Sequence, residues 1–162
     1  MTTNFASLEP AFTARLYPSE GALSSGGSLS VVPFTSGTVV SEPGFGVPLD
    51  AEVIYGSDHV RMEPSQGHTR IQVNAILKNK DGSLLTYSYT GIIEVDEDVV
   101  ALLSGSPSAK TTKFGKAISH VTFQTGSEAL KKLEHGLFVG TARFVIENGR
   151  YSVETKISRV VG

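Results

Sequence analysis

Apolar and polar positions alternate with a period of two along most of the chain, the pattern of strands with one face on a core. The clearest run is the last, "LFVGTARFVIENGRYSVETKISRVV", in which Asn148-Gly149 predicts a hairpin with a two-residue turn. That turn sets Glu147 opposite Arg150, Arg143 opposite Glu154 and Thr141 opposite Lys156, a charged face on which Arg143 reads as a surface ion-pair residue. The other face pairs Ala142 with Thr155, Phe144 with Val153 and Ile146 with Tyr151, and belongs to a core.

A second hairpin is predicted in "HTRIQVNAILKNKDGSLLTYSYTG", residues 68 to 91, around Asp81-Gly82. With the same two-residue turn, Asn74 opposes Tyr89, Ile76 opposes Tyr87 and Gln72 opposes Gly91. Gln72, Asn74, Tyr87 and Tyr89 then share one face. Amides beside phenols, with a glycine clearing space, suit a cavity wall that must hydrogen-bond something. The competing readings are a solvent face carrying two tyrosines and a contact face of a homo-oligomer.

Between and before these hairpins, "SLSVVPF", "GTVVSE", "AEVIY" and "HVRME" read as short strands, with "PGFGVPLD" as a connector and a turn at Pro64 to Gly67. "AISHVTFQTG" is a further strand. Two stretches change period. Asp96 can cap a short helix over 97–103, with Val99, Val100 and Leu103 on one side and Gly105 at its end. Ser127 can cap a second over 128–134, with Leu130 and Leu133 a turn apart and Gly136 as its stop. Ser106 to Gly115 reads as a polar loop on the rim. Seven or more antiparallel segments with two short helices predict a single all-β domain over 1–162, a closed or nearly closed barrel with a β-sandwich as the rival. A barrel of about eight strands can hold one small ligand.

Composition narrows the function classes more than the fold. The chain has 162 residues, 40% hydrophobic and 19% charged, with a formal charge of −2 and no cysteine. Thiolate chemistry, disulfides and Cys-based zinc sites are thereby excluded. Only Lys131-Lys132 are adjacent basic residues, so no basic footprint points to nucleic acid. No stretch approaches the roughly 18 apolar residues of a membrane span, and "MTTNFASLEPAF" lacks the pattern of a secretory signal. The default expectation is a soluble, cytoplasmic protein.

"YGSDHVRMEPSQG", "AILKNKDGSLLTYSYTG", "VTFQTG" and "GLFVGTARF" follow in order the pattern of the domain of unknown function 3237 family, small β-barrel proteins of bacteria and fungi. The resemblance runs from about Phe12 to Val160. It implies an antiparallel lipocalin-like (calycin-like) barrel with a central cavity, and brings no agreed reaction. Some fungal members resemble accessory proteins of secondary-metabolite pathways, which implies a small, largely apolar natural product as ligand. The chain also departs from the family. Gln72 and Asn74 stand where the family pattern tends to place an acid and an arginine, and His59 stands where it favours an aromatic residue. A Tyr-Phe-Arg element before "FQTG" is not reproduced by "KAISHVT". A charged pair supporting chemistry in relatives is here either lost or moved to His59, Arg61 and His120.

Candidate chemistry is sparse. His59, His68, His120 and His135 show no helical i, i+4 pair with an intervening Glu, so no metal and no cofactor is expected, although His59, His68 and Asp58 can be drawn into a cluster. His135 reads as a helix C-terminal partner. No complete G-x-S-x-G elbow and no phosphate-cradling glycine run occurs. Asp58 reads either as a turn-forming aspartate or as a buried general base, with Tyr87 or Tyr89 donating to a developing oxyanion and His120 as a proton carrier. His59, Arg61, Gln72 and Asn74 complete the expected ligand contacts. The function expected from these residues is a cofactor-free isomerase or cyclase of a small apolar metabolite. The alternative is a carrier barrel that binds without chemistry.

Overall fold

The computed structural model describes residues 3–19, 21–63 and 67–162. Among them the strands are β1 (Ser7–Pro18), β2 (Leu23–Ser24), β3 (Leu29–Ser41), β4 (Asp50–Glu63), β5 (His68–Asn79), β6 (Leu84–Glu94), β7 (Ala117–Thr125), β8 (Phe138–Glu147) and β9 (Arg150–Val161). A short helix, α1 (Glu97–Leu103), precedes β7, and a 3-10 helix, η1 (Glu128–His135), follows it. All pairings are antiparallel, in the order β1-β9-β8-β7-β6-β5-β4-β3-β2, and β1 also pairs with β3. That last pairing closes β1 and β3 to β9 into an eight-stranded barrel, the lipocalin-like architecture expected. The rival sandwich is not what forms.

Two pairs of short segments turn out to be single long strands. "SLSVVPF" and "GTVVSE" join in β3, and "AEVIY" and "HVRME" join in β4. Between Phe34 and Thr38 the ladder is interrupted while β4 shifts register between Val53 and Tyr55, so both strands bend sharply without ending. Gly37 permits the bend. It sits at φ +150°, and a Cβ there would lie 2.3 Å from the carbonyl oxygen of Arg15. The turn expected at Pro64 to Gly67 falls largely on residues outside those described.

The final hairpin has the predicted register, from Glu147 opposite Arg150 through Thr141 opposite Lys156. Asn148 and Gly149 both take positive φ, 51° and 74°, as a two-residue turn of this hand requires. Arg143 pairs with Glu154 at 3.1 Å and Arg15 reaches the same carboxylate oxygen at 3.2 Å, so Glu154 is buried between two guanidiniums and that part of the charged face is not wet.

The central hairpin does not have the predicted register. Asn74 opposes Ser88, Val73 opposes Tyr89 and Ala75 opposes Tyr87. The connection is a three-residue loop, Lys80-Asp81-Gly82, closed by Asn79 N–H donating to Ser83 O at 2.9 Å and Gly82 N–H donating to Asn79 O at 2.8 Å. Gly82 alone takes positive φ, 88°, the geometry of a type I turn followed by a glycine bulge. One extra loop residue moves the pairing by one position and sends alternate side chains to the opposite face. Gln72 and Asn74 therefore face out, and Tyr87 and Tyr89 face in.

The helices also differ in detail. Asp96 caps α1 by accepting from Val99 N–H at 3.0 Å, but Val99 and Leu102 are buried, while Val100 and Leu103 are exposed. The second helix winds as 3-10. Leu130 and Leu133, three apart, eclipse one another at three residues per turn, so the same pair serves either winding. It closes the lower end of the barrel. There Phe12, Phe45, Phe123 and Phe138 form one cluster with ring centroids 5.0–6.4 Å apart.

Candidate functional site

Register across the sheet defines which side chains meet inside. Asp58 on β4 opposes Val73 on β5, Val73 opposes Tyr89 on β6, and Tyr89 opposes Val121 on β7. The next row down, Gly56, Ala75, Tyr87 and Phe123, lies against the aromatic cluster, with Tyr87 stacked on Phe123 at 5.6 Å. Phe34 covers Gly56 so closely that a Cβ there would meet its ring at 2.4 Å. The lower interior is thus filled by rings. Tyr87 and Tyr89 stand at its upper boundary, 5.4 Å apart.

Above that boundary the inward positions Val32, Asp58, Val60, Tyr151 and Val153 are half-buried instead of buried. An inward side chain that solvent can still touch borders space that protein atoms do not fill. At the upper rim a groove of about 510 Å³ is lined by Pro18, Leu102, Pro107, Ile146 and Tyr151, among others. Ile146 and Tyr151 are inward positions, so this mouth and the barrel interior share a wall.

Asp58 is the exceptional group in this space. It lies in the middle of β4, which removes the turn-forming reading. Its Oδ1 is buried without a hydrogen-bond partner. Burial pushes its pKa from 3.8 up to about 6, and a hydrogen bond from the backbone N–H of Gln72 offsets only part of this. Burial raises the Tyr89 and Tyr151 hydroxyls, and the negative charge of Asp58 raises both further. The Tyr87 hydroxyl is also raised by burial and has no hydrogen-bond partner. Asp58 thus lies close enough to Tyr89 and Tyr151 to act on both hydroxyls, Tyr87 lies beside Tyr89, and at least two polar atoms of this apolar interior are unsatisfied. Native interiors rarely leave such atoms orphaned, and a ligand that supplies the missing partners is a direct explanation.

The remaining expected site residues lie elsewhere. His59, Arg61, Gln72, Asn74 and His120 all point to the outside of the sheet, because each alternates with an inward neighbour in its strand. His120 opposes Thr90 and Val139, not Asp58, and is no proton carrier for the interior. A cluster of His59, His68 and Asp58 fails for the same reason, since Asp58 and His59 occupy opposite faces. Among the described residues no group of three or more His, Cys, Asp or Glu is disposed to hold a metal ion. Tyr151 was the residue that sequence reasoning missed. The last hairpin places it on the core face, but nothing in the local pattern joins β9 to Asp58 across the barrel.

Fold and interior together define a small closed antiparallel β-barrel of lipocalin-like topology with an apolar interior. The chain belongs to the family described as protein of unknown function (DUF3237), whose pattern matches residues 6–160. Solved structures agree on the fold. A conserved protein of unknown function from Rhodopseudomonas palustris is 20% identical with a TM-score of 0.79, covering 99% of this chain and 100% of its own. A beta-barrel like protein from Acinetobacter baumannii is 19% identical at 0.71, covering 99% of each chain. An enzyme from Penicillium herquei is 16% identical at 0.65, covering 99% of this chain and 98% of its own. No curated protein matches the sequence. No helix among the described residues is long and apolar enough to cross a membrane.

Proposed function

We propose that the protein is a cofactor-free isomerase or cyclase that acts on a small, largely apolar molecule inside the upper barrel, with Asp58 as the general base. The observation that carries this reading is the Asp58 carboxyl, whose Oδ1 is buried without a partner and whose pKa burial holds at about 6 beside Tyr89 and Tyr151. A general base works best when its pKa lies near the working pH, and burial has moved this one there. Likeness to a Penicillium herquei protein described as an enzyme adds support for catalysis within this barrel fold.

The chemistry is proton transfer without net oxidation or reduction. The Asp58 carboxylate takes a proton from a carbon beside a substrate carbonyl or from a substrate hydroxyl. Tyr89 or Tyr87 donates a hydrogen bond to the oxygen on which negative charge develops. Asp58 then returns the proton at a different carbon, giving an isomer. Where the deprotonated hydroxyl has instead added to a nearby electrophilic carbon, the product is a ring. The apolar walls orient the substrate and exclude water from the step.

Incubating hydroxylated aryl ketones and enones with the protein, and following product identity and stereochemistry, tests the proposal. Asp58→Asn is expected to lower turnover by roughly 10²–10⁴-fold, with ligand affinity much less affected. A ligand that binds wild type tightly and emerges unchanged, at the rate seen in buffer, would favour a carrier barrel instead.

A further inference from the structure

The outer face of the barrel holds a second concavity, separate from the Asp58 chamber. It is a groove of about 660 Å³ across β4 to β8. Gly91 and Gly140 flank Ser119 in register beneath it. A Cβ at Gly91 would meet the backbone oxygen of Ile118 at 2.5 Å, and one at Gly140 would meet the Ser119 hydroxyl at 2.7 Å, so both positions are too crowded for a larger residue.

One row of outward side chains in this groove is unusual. Arg61 on β4 stands directly opposite Arg70 on β5, Arg70 opposite Ile92 on β6, and Ile92 opposite Ile118 on β7. Like charges directly opposite on adjacent strands destabilise a sheet. Arg70 has a distant partner, with its Nε 3.9 Å from Glu63. Arg61 makes no ion pair among the described residues, and no carboxylate lines the groove. The chain as a whole carries a net charge of −2, so this is a local exception. Beside the arginines, Ile92 and Ile118 are 43% and 56% exposed. The row thus runs from two cations to an apolar shelf over three strand spacings, roughly 14 Å.

We propose that this outer groove binds a small amphipathic carboxylate. Its anionic head bridges Arg61 and Arg70, and its apolar body lies on Ile92 and Ile118. A bound carboxylate removes the repulsion between the two guanidiniums and covers the exposed isoleucines in one step. His59, Gln72 and His120, on the neighbouring row, offer hydrogen-bonding groups along the same groove. The site is independent of the interior chemistry, since its side chains are on the other face of the same strands.

The test uses 2-naphthoate as probe and 2-naphthamide as its neutral counterpart, each titrated into the whole protein while backbone amide shifts are followed. Naphthoate is expected to move amides in 59–61, 70–72, 90–92 and 118–120. Arg61→Gln and Arg70→Gln should each weaken it about tenfold or more, as loss of a charged hydrogen-bond partner does. Naphthamide should bind at least about tenfold more weakly, and added salt should weaken naphthoate alone. Asp58→Asn should leave the naphthoate affinity unchanged, whether or not it abolishes turnover. Thermal melts check folding, and Arg61→Gln should melt no lower than wild type because it relieves like-charge repulsion. Shifts confined to the interior near Tyr89 and Tyr151 would overturn the proposal. So would equal affinity for naphthamide, no binding at millimolar probe, or shifts at this face that follow protein concentration instead of probe.

Discussion

Asp58 carries its charge into the barrel at a cost that depends on pH. With the folded pKa raised from 3.8 to about 6, the folded state holds a proton over that interval that the unfolded chain has released. Stability associated with this group is therefore fully present below about pH 4 and is lost as pH rises through about 6, a loss of roughly 3 kcal/mol when complete. Asp58→Asn never ionises. Urea unfolding from pH 4 to pH 8 should find the variant gaining on wild type across that window, by up to about 2–3 kcal/mol at pH 8. A constant difference at all pH values would show that the carboxyl is not desolvated. Tyr87 offers a second check at this scale. Its hydroxyl is buried without a partner, so Tyr87→Phe should leave stability unchanged or raise it by about 1 kcal/mol. A clear loss would reveal a hydrogen bond at that hydroxyl. Asp58, Tyr87 and Tyr89 were candidates in the sequence, the tyrosines through a pairing with Gln72 and Asn74 that the hairpin does not make. Which neighbours each would meet was not legible, because those neighbours come from strands distant in the chain.

At the scale of elements, the two hairpins show where local pattern suffices. Asn148-Gly149 admits a two-residue turn with both φ positive, and the register followed from it. Asp81-Gly82 looks similar in sequence, but Asp81 stays out of the left-handed region and its carboxylate accepts instead from Ser83 N–H at 2.9 Å. Lys80 then joins the loop, and the faces of β5 exchange. The burial pattern of Thr69, Ile71, Val73, Ala75 and Leu77 could have signalled this, since that face is the more apolar. Asn74 and Gln72 misled because amides beside tyrosines suggest a binding wall. Bends inside β3 and β4 were hidden for a different reason. Thr35, Ser36 and Gly37 resemble a turn, whereas here they let one strand fold over the barrel corner. Gly37→Ala tests that account. The added Cβ collides with backbone, not with a flexible side chain, and should cost roughly 3 kcal/mol or more in chemical denaturation. A loss below about 1 kcal/mol would mean that the corner can relax.

For the whole molecule, closure depends on β1, which pairs on both sides, with β9 and with β3. This strand had no counterpart in the segments read from sequence. "AFTARLY" does alternate, but Pro10 and the short polar lead-in make it look like a terminal extension. The family resemblance supplied the closed barrel that periodicity alone left level with a sandwich. Closure leaves the long strands with neighbours on both sides, and the core runs continuously from Phe12 to Ile157. Loss of far-ultraviolet β signal and loss of tyrosine near-ultraviolet signal should therefore coincide on heating, as in a single cooperative transition. Two separated transitions would place the upper and lower halves in different cooperative units.

One join in the wall differs from the others. β7 and β8 pair over only five positions, Ala117 to Val121 against Ala142 to Phe138. Higher up, β8 is held by the preceding loop: Thr112 N–H donates to Phe144 O at 2.9 Å, while the Phe144 and Ile146 amides donate to the hydroxyls of Thr112 and Thr111 at 3.0 Å. Arg143 lies over the ring of Phe114 across the same join, 4.8 Å from its centroid. Here two threonine hydroxyls replace ladder carbonyls as acceptors, and single backbone bonds from Thr112 to Phe144 and from Gly115 and Lys116 to Ala142 supply the rest. Native-state hydrogen exchange should find the amides of Thr112, Phe144 and Ile146 opening at lower free energy than those of β5 and β6. Solvent label would then reach the wall first along this flank, and the long ladders of β5 and β6 last.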